Sequence, residues 1–150
     1  MLIKGEVDMI KEIIKDQFIL SQKSLPAGKD DLVVVQDLLD TMKAHDDICV
    51  GMAANMIGVL KNIIVVKDME NSEKIYIIIN PEIVKVFGQP YKCNESCLCY
   101  DIDKTKETKR YSKIKIKYVD ENWKIKMKTF KGVTAQIVQH EMDHCKGILI

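Results

Sequence analysis

The sequence has 150 residues, of which 47% are hydrophobic and 30% charged, as is usual for one globular domain. Lysine and arginine total 23 and aspartate and glutamate total 22, so the net charge of +1 argues against a basic surface built to bind DNA. There is no apolar run long enough to cross a bilayer and no secretion signal in the first twelve residues. We therefore expect a single cytoplasmic domain over residues 1–150, favour a monomer, and expect neither DNA nor a membrane as partner.

Two helices are predicted in the first third of the chain. Residues 7–20 form an apolar stretch with scattered charges, which we interpret as a helix. After a loop over residues 21–31 that contains Pro26 and Gly28, Asp30 is predicted to cap a second helix that ends near His45. The helix is indicated by apolar residues that recur at helical spacing, namely Leu32, Val35, Leu38, Leu39 and Met42.

The middle of the chain is predicted to form strands. Residues 63–66 and 75–79 are short runs rich in β-branched residues, and Asn80-Pro81 is expected to end the second run. Residues 113–119 and 124–130 alternate between apolar residues and lysines, and the short turn-forming segment between them predicts an antiparallel hairpin. We expect this hairpin to have one buried face and one lysine face in solvent.

A last helix is predicted over residues 134–146. It has a small polar start, Lys146 in its final turn, and Gly147 just beyond, where helices commonly stop. Strands followed by a lone terminal helix indicate an α+β fold with a helix packed on an antiparallel sheet.

This helix carries the sequence His-Glu-Met-Asp-His at residues 140–144. Because residues four apart lie one above the other on a helix, His140 and His144 can both direct a ring nitrogen at one ion. Glu141 lies about 100° further round the helix, close enough to meet a metal-bound water without being a ligand. The pattern is typical of metal-dependent hydrolysis, in which a carboxylate takes the proton of an activated water.

The third ligand is expected upstream of this motif. Among the six residues that follow His144, only Cys145 is a ligand type, and an adjacent residue on the same helix points away from the histidine face. The densest upstream source is the segment 93–99, in which an extended conformation would place Cys97 on the face opposite to its two neighbours. Two histidines and one cysteine leave a fourth position open, as in catalytic sites. The alternative is a structural zinc site made by Cys93, Cys97 and Cys99.

Together these segments resemble the peptide deformylase family, which shows the motifs GxGLAAxQ, EGCLS and QHExDH in that order. The chain has CVGMAANM at residues 49–56, ESCLC at residues 95–99, and QHEMDH at residues 139–144. The third motif matches in full, and the Asn80-Pro81 pair is also similar to the family. The resemblance covers nearly the whole chain.

The resemblance implies a metal-dependent hydrolase that removes the N-formyl group from the formyl-methionine of nascent polypeptides, at or near the ribosome. The implied fold is α+β, with antiparallel sheets wrapped around the helix that carries the metal ligands. Cys97, His140 and His144 would hold one divalent ion, Fe(II) in the family, with zinc, nickel or cobalt able to replace it. Glu141 would act as general base and then as acid, and the backbone N–H of Leu98 would bind the oxyanion.

Several positions depart from the family motifs. Met56 stands where the family has a catalytic glutamine that donates its amide to the oxyanion, and a thioether has no proton to donate. Cys49 and Ser96 stand at two glycine positions, and Cys99 stands at the serine position. The nearest replacement donor in sequence is Asn55. We therefore expect an intact metal set beside a weakened set of groups for the transition state.

Five residues are predicted to contact the substrate. Val133 and Ile137 precede the histidines on or near the metal face of the helix. Together with Val50, which lies beside Gly51, they predict an apolar slot for an unbranched side chain such as methionine. Ser96, at a glycine position of the second motif, is expected to lie next to the substrate backbone.

Two other functions are compatible with the same residues. One is a protein that keeps the metal and the peptide cleft but turns substrate over poorly. The other is a metal-dependent hydrolase of a different acylated or peptide substrate. Release of formate from formyl-methionine peptides separates the predicted function from both, because neither alternative produces formate at an appreciable rate.

Overall fold

A computed structural model describes residues 10–71, 73–99 and 104–150. Three helices are found in these segments: α1 (Gln17–Leu20), α2 (Leu32–Ala44) and α3 (Gly132–Cys145). Single 3-10 turns lie at Lys29–Asp31 and Ala54–Ile57. The strands are β1 (Gly51–Ala53), β2 (Ile63–Lys67), β3 (Ile75–Phe87), β4 (Tyr91–Glu95), β5 (Lys106–Arg110), β6 (Lys113–Val119) and β7 (Ile125–Lys131).

The strands form two antiparallel sheets. The larger has the order β1-β2-β3-β6-β7, and the smaller pairs β4 with β5. Helices α2 and α3 both pack against β1 and β2, so the α+β prediction with antiparallel sheets around the C-terminal helix is confirmed. No helix of the described segments is long and apolar enough to span a membrane.

The two long helices differ in how they are buried. Helix α2 buries a single stripe at helical spacing, consisting of Val34, Val35, Leu38, Thr41 and Met42. Helix α3 is surrounded by the rest of the fold, and ten of its fourteen residues are buried, including both histidines and Glu141. A helix buried on most sides can hold polar side chains only where partners satisfy them, which makes α3 the natural place for a reaction centre.

The end of α3 is fixed by the N-terminal part of the chain. The Ser24 N–H donates to the carbonyl of Cys145 at 2.8 Å. Gly147 follows the helix with φ 75°, as the sequence predicts for a helix stop. A Cβ atom at Gly147 would lie 2.5 Å from the carbonyl oxygen of Ser21, so no side chain fits where these two segments meet.

The predicted first helix is largely wrong, and the predicted cap of the second is also wrong. Of the described part of residues 7–20, only Gln17–Leu20 is helical, and residues 7–9 lie outside the described segments. The Ile14 N–H instead donates to the carbonyl of Met56 at 2.7 Å, so tertiary bonding replaces helical bonding there. Asp30 lies inside a 3-10 turn, and the carboxylate of its neighbour Asp31 accepts from the Gly28 N–H at 2.8 Å.

Asn80-Pro81 does not end a strand as predicted, because β3 continues through it to Phe87. Asn80 adopts φ 51°, and the register with β6 shifts between Ile79 and Glu82. The Asn80 side chain donates to the carbonyl of Ala27 and accepts from its N–H, at 2.9 and 2.8 Å. The pair therefore forms a bulge that is pinned to the loop before α2.

The predicted hairpin is present, but its second strand is oriented differently from the prediction. In β6 the side chains of Ile114, Ile116 and Tyr118 are buried, and the lysines lie on the opposite face, as expected. Register pairs Val119 with Ile125, which places Ile125 and Met127 on the outer face at 71% and 54% exposure. Lys128 pairs with the buried Ile116 and shares its face. The register set by the turn thus outweighs the hydrophobic alternation of β7.

This difference between the two strands is testable with a pair of matched substitutions. Ile116→Ala removes a fully buried side chain and is expected to lower the free energy of unfolding by about 2–5 kcal/mol. Ile125→Ala, on the neighbouring strand, is expected to change it by no more than about 0.5 kcal/mol. Urea denaturation of both variants measures this, and equal losses would contradict the outward orientation of Ile125.

Candidate active site

A cavity of about 230 Å³ lies between β1, the turn that follows β4, and helix α3. It contains every residue that the sequence predicts for the site except His144, which is fully buried behind Cys97. The lining residues are Ile48, Cys49, Val50, Gly51, Met56, Asn94, Glu95, Ser96, Cys97, Leu98, Val133, Gln136, Ile137, His140 and Glu141. Three separate parts of the chain therefore converge on one pocket.

The three predicted metal ligands lie side by side. The Sγ atom of Cys97 is 3.2 Å from Nε2 of His144. Helical spacing on α3 brings the two imidazole rings to a centroid distance of 5.0 Å. Cys97 lies two residues beyond the end of β4 and just before the turn at residues 98–99, so it is outside the strand itself. Its thiol faces His144 of α3.

The carboxylate of Glu95 connects this ligand set to the smaller sheet. It accepts from Nδ1 of His140 at 2.8 Å and from Nε and Nη2 of Arg110 at 3.0 and 2.7 Å. Arg110 also donates to Asp143 of α3 at 2.6 Å. Burial opposes the charge of Glu95, but His140 and Arg110 outweigh it and lower the pKa of this carboxyl. Sequence reasoning missed this role, since nothing marks Arg110 in a basic strand, although Glu95 lies in the second motif.

The bond to Glu95 determines which nitrogen of His140 is available. Because a carboxylate only accepts, Nδ1 of His140 carries the proton and Nε2 remains as the ligand atom. Burial works against a charge on His140, but its hydrogen bonds with Cys97 and Glu95 raise its pKa to about 10. A hydrogen bond with the side chain of Cys99, together with burial, raises the pKa of Cys97 to about 11.

These donors fit a divalent ion. One thiol and two imidazoles form a three-ligand set of the kind found in catalytic metal sites, with a carboxylate as outer partner of one histidine. Ligand atoms of His140, Glu141 and His144 lie within 4.8 Å of one another. Within the described segments, Oε1 of Glu141 is buried without a hydrogen-bond partner, as expected for a group whose partner is a reactant.

Glu141 lies directly beneath Gly51 of β1, and both residues line the pocket. A Cβ atom at Gly51 would lie 2.7 Å from Cγ2 of Ile137 and 3.0 Å from Oε2 of Glu141. A side chain at position 51 would therefore displace Ile137 and crowd Glu141 where β1 crosses α3. Burial raises the pKa of Glu141 to about 7, which places it near the value at which a carboxylate both accepts and returns a proton at neutral pH.

Met56 lines the pocket at the position where the family glutamine would lie, and it is 2% exposed. Its Sδ atom accepts from the Ala53 N–H at 3.4 Å, so the thioether is held in place by its own 3-10 turn. Asn55 does not replace the missing donor, because its Nδ2 donates to the carbonyl of His144 at 2.9 Å. Asn55 is not among the residues that line the pocket.

The three residues predicted to form an apolar slot all line the pocket. Val50, Val133 and Ile137 line it together with Ile48, which sequence reasoning did not select. One wall is polar, since Gln136 donates to Oε2 of Glu95 at 3.0 Å. The amide of Gln136 therefore belongs to the hydrogen-bond network through which Glu95 positions His140.

The alternative zinc site is not favoured by the arrangement of the cysteines. Cys93 lies in β4, where its thiol contacts Thr108 Oγ1 at 3.3 Å and Glu95 Oε2 at 3.5 Å. In the described part of the chain it does not belong to either group of converging ligand atoms. Cys49 and Cys145 are buried, and burial raises the pKa of both thiols to about 12.

Sequence comparison gives consistent matches over almost the whole chain. The model of the polypeptide deformylase family matches residues 10–150. The peptide deformylase of Clostridium beijerinckii is 49% identical over 142 residues, which is 95% of this chain and 100% of that protein. Peptide deformylase 1 of Clostridium perfringens is 37% identical over 117 residues, covering 78% of this chain and 76% of that one.

Solved structures agree with this assignment. The class I type b peptide deformylase of Acinetobacter baumannii, bound to Met-Ala-Ser, superposes with a TM-score of 0.82 at 26% identity, over 93% of this chain and 96% of that one. The peptide deformylase of Thermotoga maritima gives a TM-score of 0.81 at 26% identity, over 93% and 94% of the two chains. The fold, the three motifs in their order and the sequence identity lead to one conclusion: the chain belongs to the polypeptide deformylase family.

Proposed function

We propose that this chain removes the formyl group from N-terminal formyl-methionine of nascent polypeptides, using Cys97, His140 and His144 to hold a divalent ion and Glu141 to carry the proton. Membership in the family makes metal-dependent deformylation its activity. The observation that supports these residue roles is the position of Glu141, which lines the pocket with Oε1 buried and unpartnered and has a ligand atom within 4.8 Å of those of both histidines. Such substrates place the reaction in cytoplasmic protein synthesis.

The ligand set suits an ion that keeps one position open. When bound, such an ion supplies a Lewis acid that polarises the formyl carbonyl and lowers the pKa of water. We propose Fe(II), following the family, with zinc, nickel and cobalt as replacements. Cys97 contributes one thiolate, and the carboxylate of Glu95 orients His140 so that Nε2 faces the site.

Glu141 is proposed as the proton carrier. Its carboxylate is buried, Oε1 has no hydrogen-bond partner within the described segments, and its pKa is raised to about 7 by burial. A group with these properties takes a proton from the attacking water and then returns it to the leaving amine. Its place on α3, one residue after His140, keeps it beside the ligand set without making it a ligand.

The oxyanion is proposed to be bound with one donor fewer than in the family. Leu98 lies in the turn that lines the pocket, and we assign its backbone N–H to the developing charge. Met56 offers no proton, and the amide of Asn55 is bound to the carbonyl of His144. Turnover is therefore expected to be slower than that of an enzyme with a glutamine at position 56.

The substrate side chain is proposed to enter the slot lined by Val50, Val133 and Ile137. These residues are apolar, and the methionine side chain is unbranched and flexible enough to fill an irregular slot. Ser96 is exposed at the mouth of the pocket, where we place the backbone of the peptide.

The decisive experiment is anaerobic purification, metal analysis, and measurement of formate released from formyl-methionine peptides. Release of formate supports the proposed function. Bound metal without release would favour the alternative of a binding protein with poor turnover. Release of an amino acid or another acyl product would favour a different hydrolase.

The ligand assignment predicts a sharp difference between cysteines. Cys97→Ala is expected to reduce metal content by at least tenfold, because it removes a protein ligand of the ion. Cys93→Ala and Cys145→Ala serve as controls and are expected to retain the wild-type content, because their thiols lie outside the proposed ligand set. Elemental analysis of the folded variants measures this, and a requirement for Cys93 would refute the assignment.

The role of Glu141 predicts a loss of turnover without a loss of structure. Glu141→Gln is expected to lower kcat by about 10²–10⁴-fold, since an amide accepts no proton at neutral pH. Metal content and the thermal melting curve are expected to stay close to wild type. Glu107→Gln, an exposed carboxylate on β5, is the matched control. Formate release at an unchanged rate in the Glu141 variant would exclude the proton-carrier role.

The missing oxyanion donor predicts a gain of function. Met56→Gln is expected to raise kcat/KM on formyl-methionine peptides at least tenfold, mainly through kcat, because the new bond belongs to the transition state. Met127→Gln, an exposed methionine on β7, controls for the change in composition and is expected to have no effect. A fall in rate for Met56→Gln would show that Met56 belongs to a substrate contact instead.

A further inference from the structure

Cys99 lies beside the proposed metal ligands but is not one of them. It follows Cys97 by two residues in the turn after β4, and its N–H donates to Sγ of Cys97 at 3.5 Å. Its side chain is 3% exposed. The motif of the family has a serine at this position, so the second thiol is a departure from that motif.

The two thiols and one imidazole converge on a common point. One ligand atom each from Cys97, Cys99 and His144 lie within 4.8 Å of one another. Donor atoms around a tetrahedral zinc ion lie about 3.3–3.8 Å apart, given bond lengths of about 2.0–2.3 Å. A movement of about 1 Å at the Cys99 side chain is therefore enough to bring its sulfur to an ion held by the other residues.

We propose that Cys99 is a fourth protein ligand, and that Cys97, Cys99, His140 and His144 together form a closed Cys₂His₂ site for zinc. This inference rests on the ligand set of the proposed function and adds one residue to it. Binding of Cys99 forms one sulfur–metal bond and releases the thiol proton to solvent. The position that a catalytic site keeps open is then filled by protein, so the closed form is a resting state.

Zinc is the ion that this arrangement favours. A second thiolate adds a soft ligand, which zinc accepts readily in a tetrahedral site. Zinc is also bound more tightly than Fe(II) by nitrogen and sulfur donors in general. The same chain would then hold Fe(II) in an open three-ligand form and zinc in a closed four-ligand form that leaves no position for water, so zinc as the replacement ion is expected to give the less active protein.

The coordination of the zinc-loaded protein tests this directly and needs no variant. Wild-type protein is stripped of metal under anaerobic, reducing conditions, reloaded with one equivalent of zinc, and examined by X-ray absorption at the zinc edge. Two sulfur neighbours per zinc are expected. One sulfur neighbour in the wild type would overturn the proposal.

Variants then assign the second sulfur. Cys99→Ser restores the family residue at nearly the same size and is expected to leave one sulfur neighbour, to halve the thiolate-to-cobalt absorption of the cobalt form, and to weaken zinc binding at least tenfold. Cys145→Ala, which removes another buried thiol next to His144, is the matched control and is expected to match the wild type. Identical spectra and affinities for Cys99→Ser and wild type would refute a role for Cys99.

Failure of the proposed function gives a different pattern. If Cys97→Ser retains both the wild-type number of sulfur neighbours and the wild-type zinc affinity, the three-ligand set itself is wrong. If instead Cys97→Ser loses zinc binding while Cys99→Ser matches the wild type, the three-ligand set stands and only the closed site is refuted. The two outcomes are separated by which cysteine changes the spectrum.

Discussion

The carboxylate of Glu95 is the contact on which the geometry of the site depends. It is the last residue of β4, and Arg110 is the last residue of β5, so their ion pair ties both strands of the smaller sheet together. The same carboxylate accepts from His140, and the same guanidinium donates to Asp143, both of which belong to α3. Because Glu95, Arg110 and His140 are buried, removing one partner of the Glu95–Arg110 pair leaves an uncompensated charge, which typically costs about 3–5 kcal/mol.

The geometry of the site also depends on close packing around α3. Gly51 allows β1 to pass over α3, since a Cβ atom there would overlap Ile137 and Glu141. Asn55 binds the carbonyl of His144 from the other side. These contacts hold the side chains of α3 in one arrangement, so the cost of orienting them is met during folding and not during each turnover.

The parts of the site that lie within one helix could be predicted from the sequence, because helical geometry alone relates His140 to His144. Contacts between distant segments could not be predicted in this way. Nothing in a lysine-rich strand indicates that Arg110 is buried, and the bond of Asn55 to His144 spans most of the chain. The family motifs identified residues that line the pocket, including Cys97 and Gly51, but they did not identify the hydrogen bonds between these residues.

The errors in the predicted fold have a similar cause. The Asn80-Pro81 pair is a local signal for a strand end, but pairing with β6 carries the strand past it at the expense of a bulge. The alternation in β7 is a valid strand signal, but the hairpin register decides which face its residues occupy. In both places, pairing with a neighbouring strand determined the structure, and the conformational preference of the local sequence did not.

The place of α3 in the chain has a consequence for how the protein acquires its site. Every strand and helix against which α3 packs is synthesised before it, so the sheet must remain without its central helix until residues 132–145 have been added. Contacts between such distant parts of a chain form slowly, since the intervening segments must first be closed into loops. The pocket therefore forms only after residues 132–145 have joined the rest of the fold, although two of its three walls precede them in the chain.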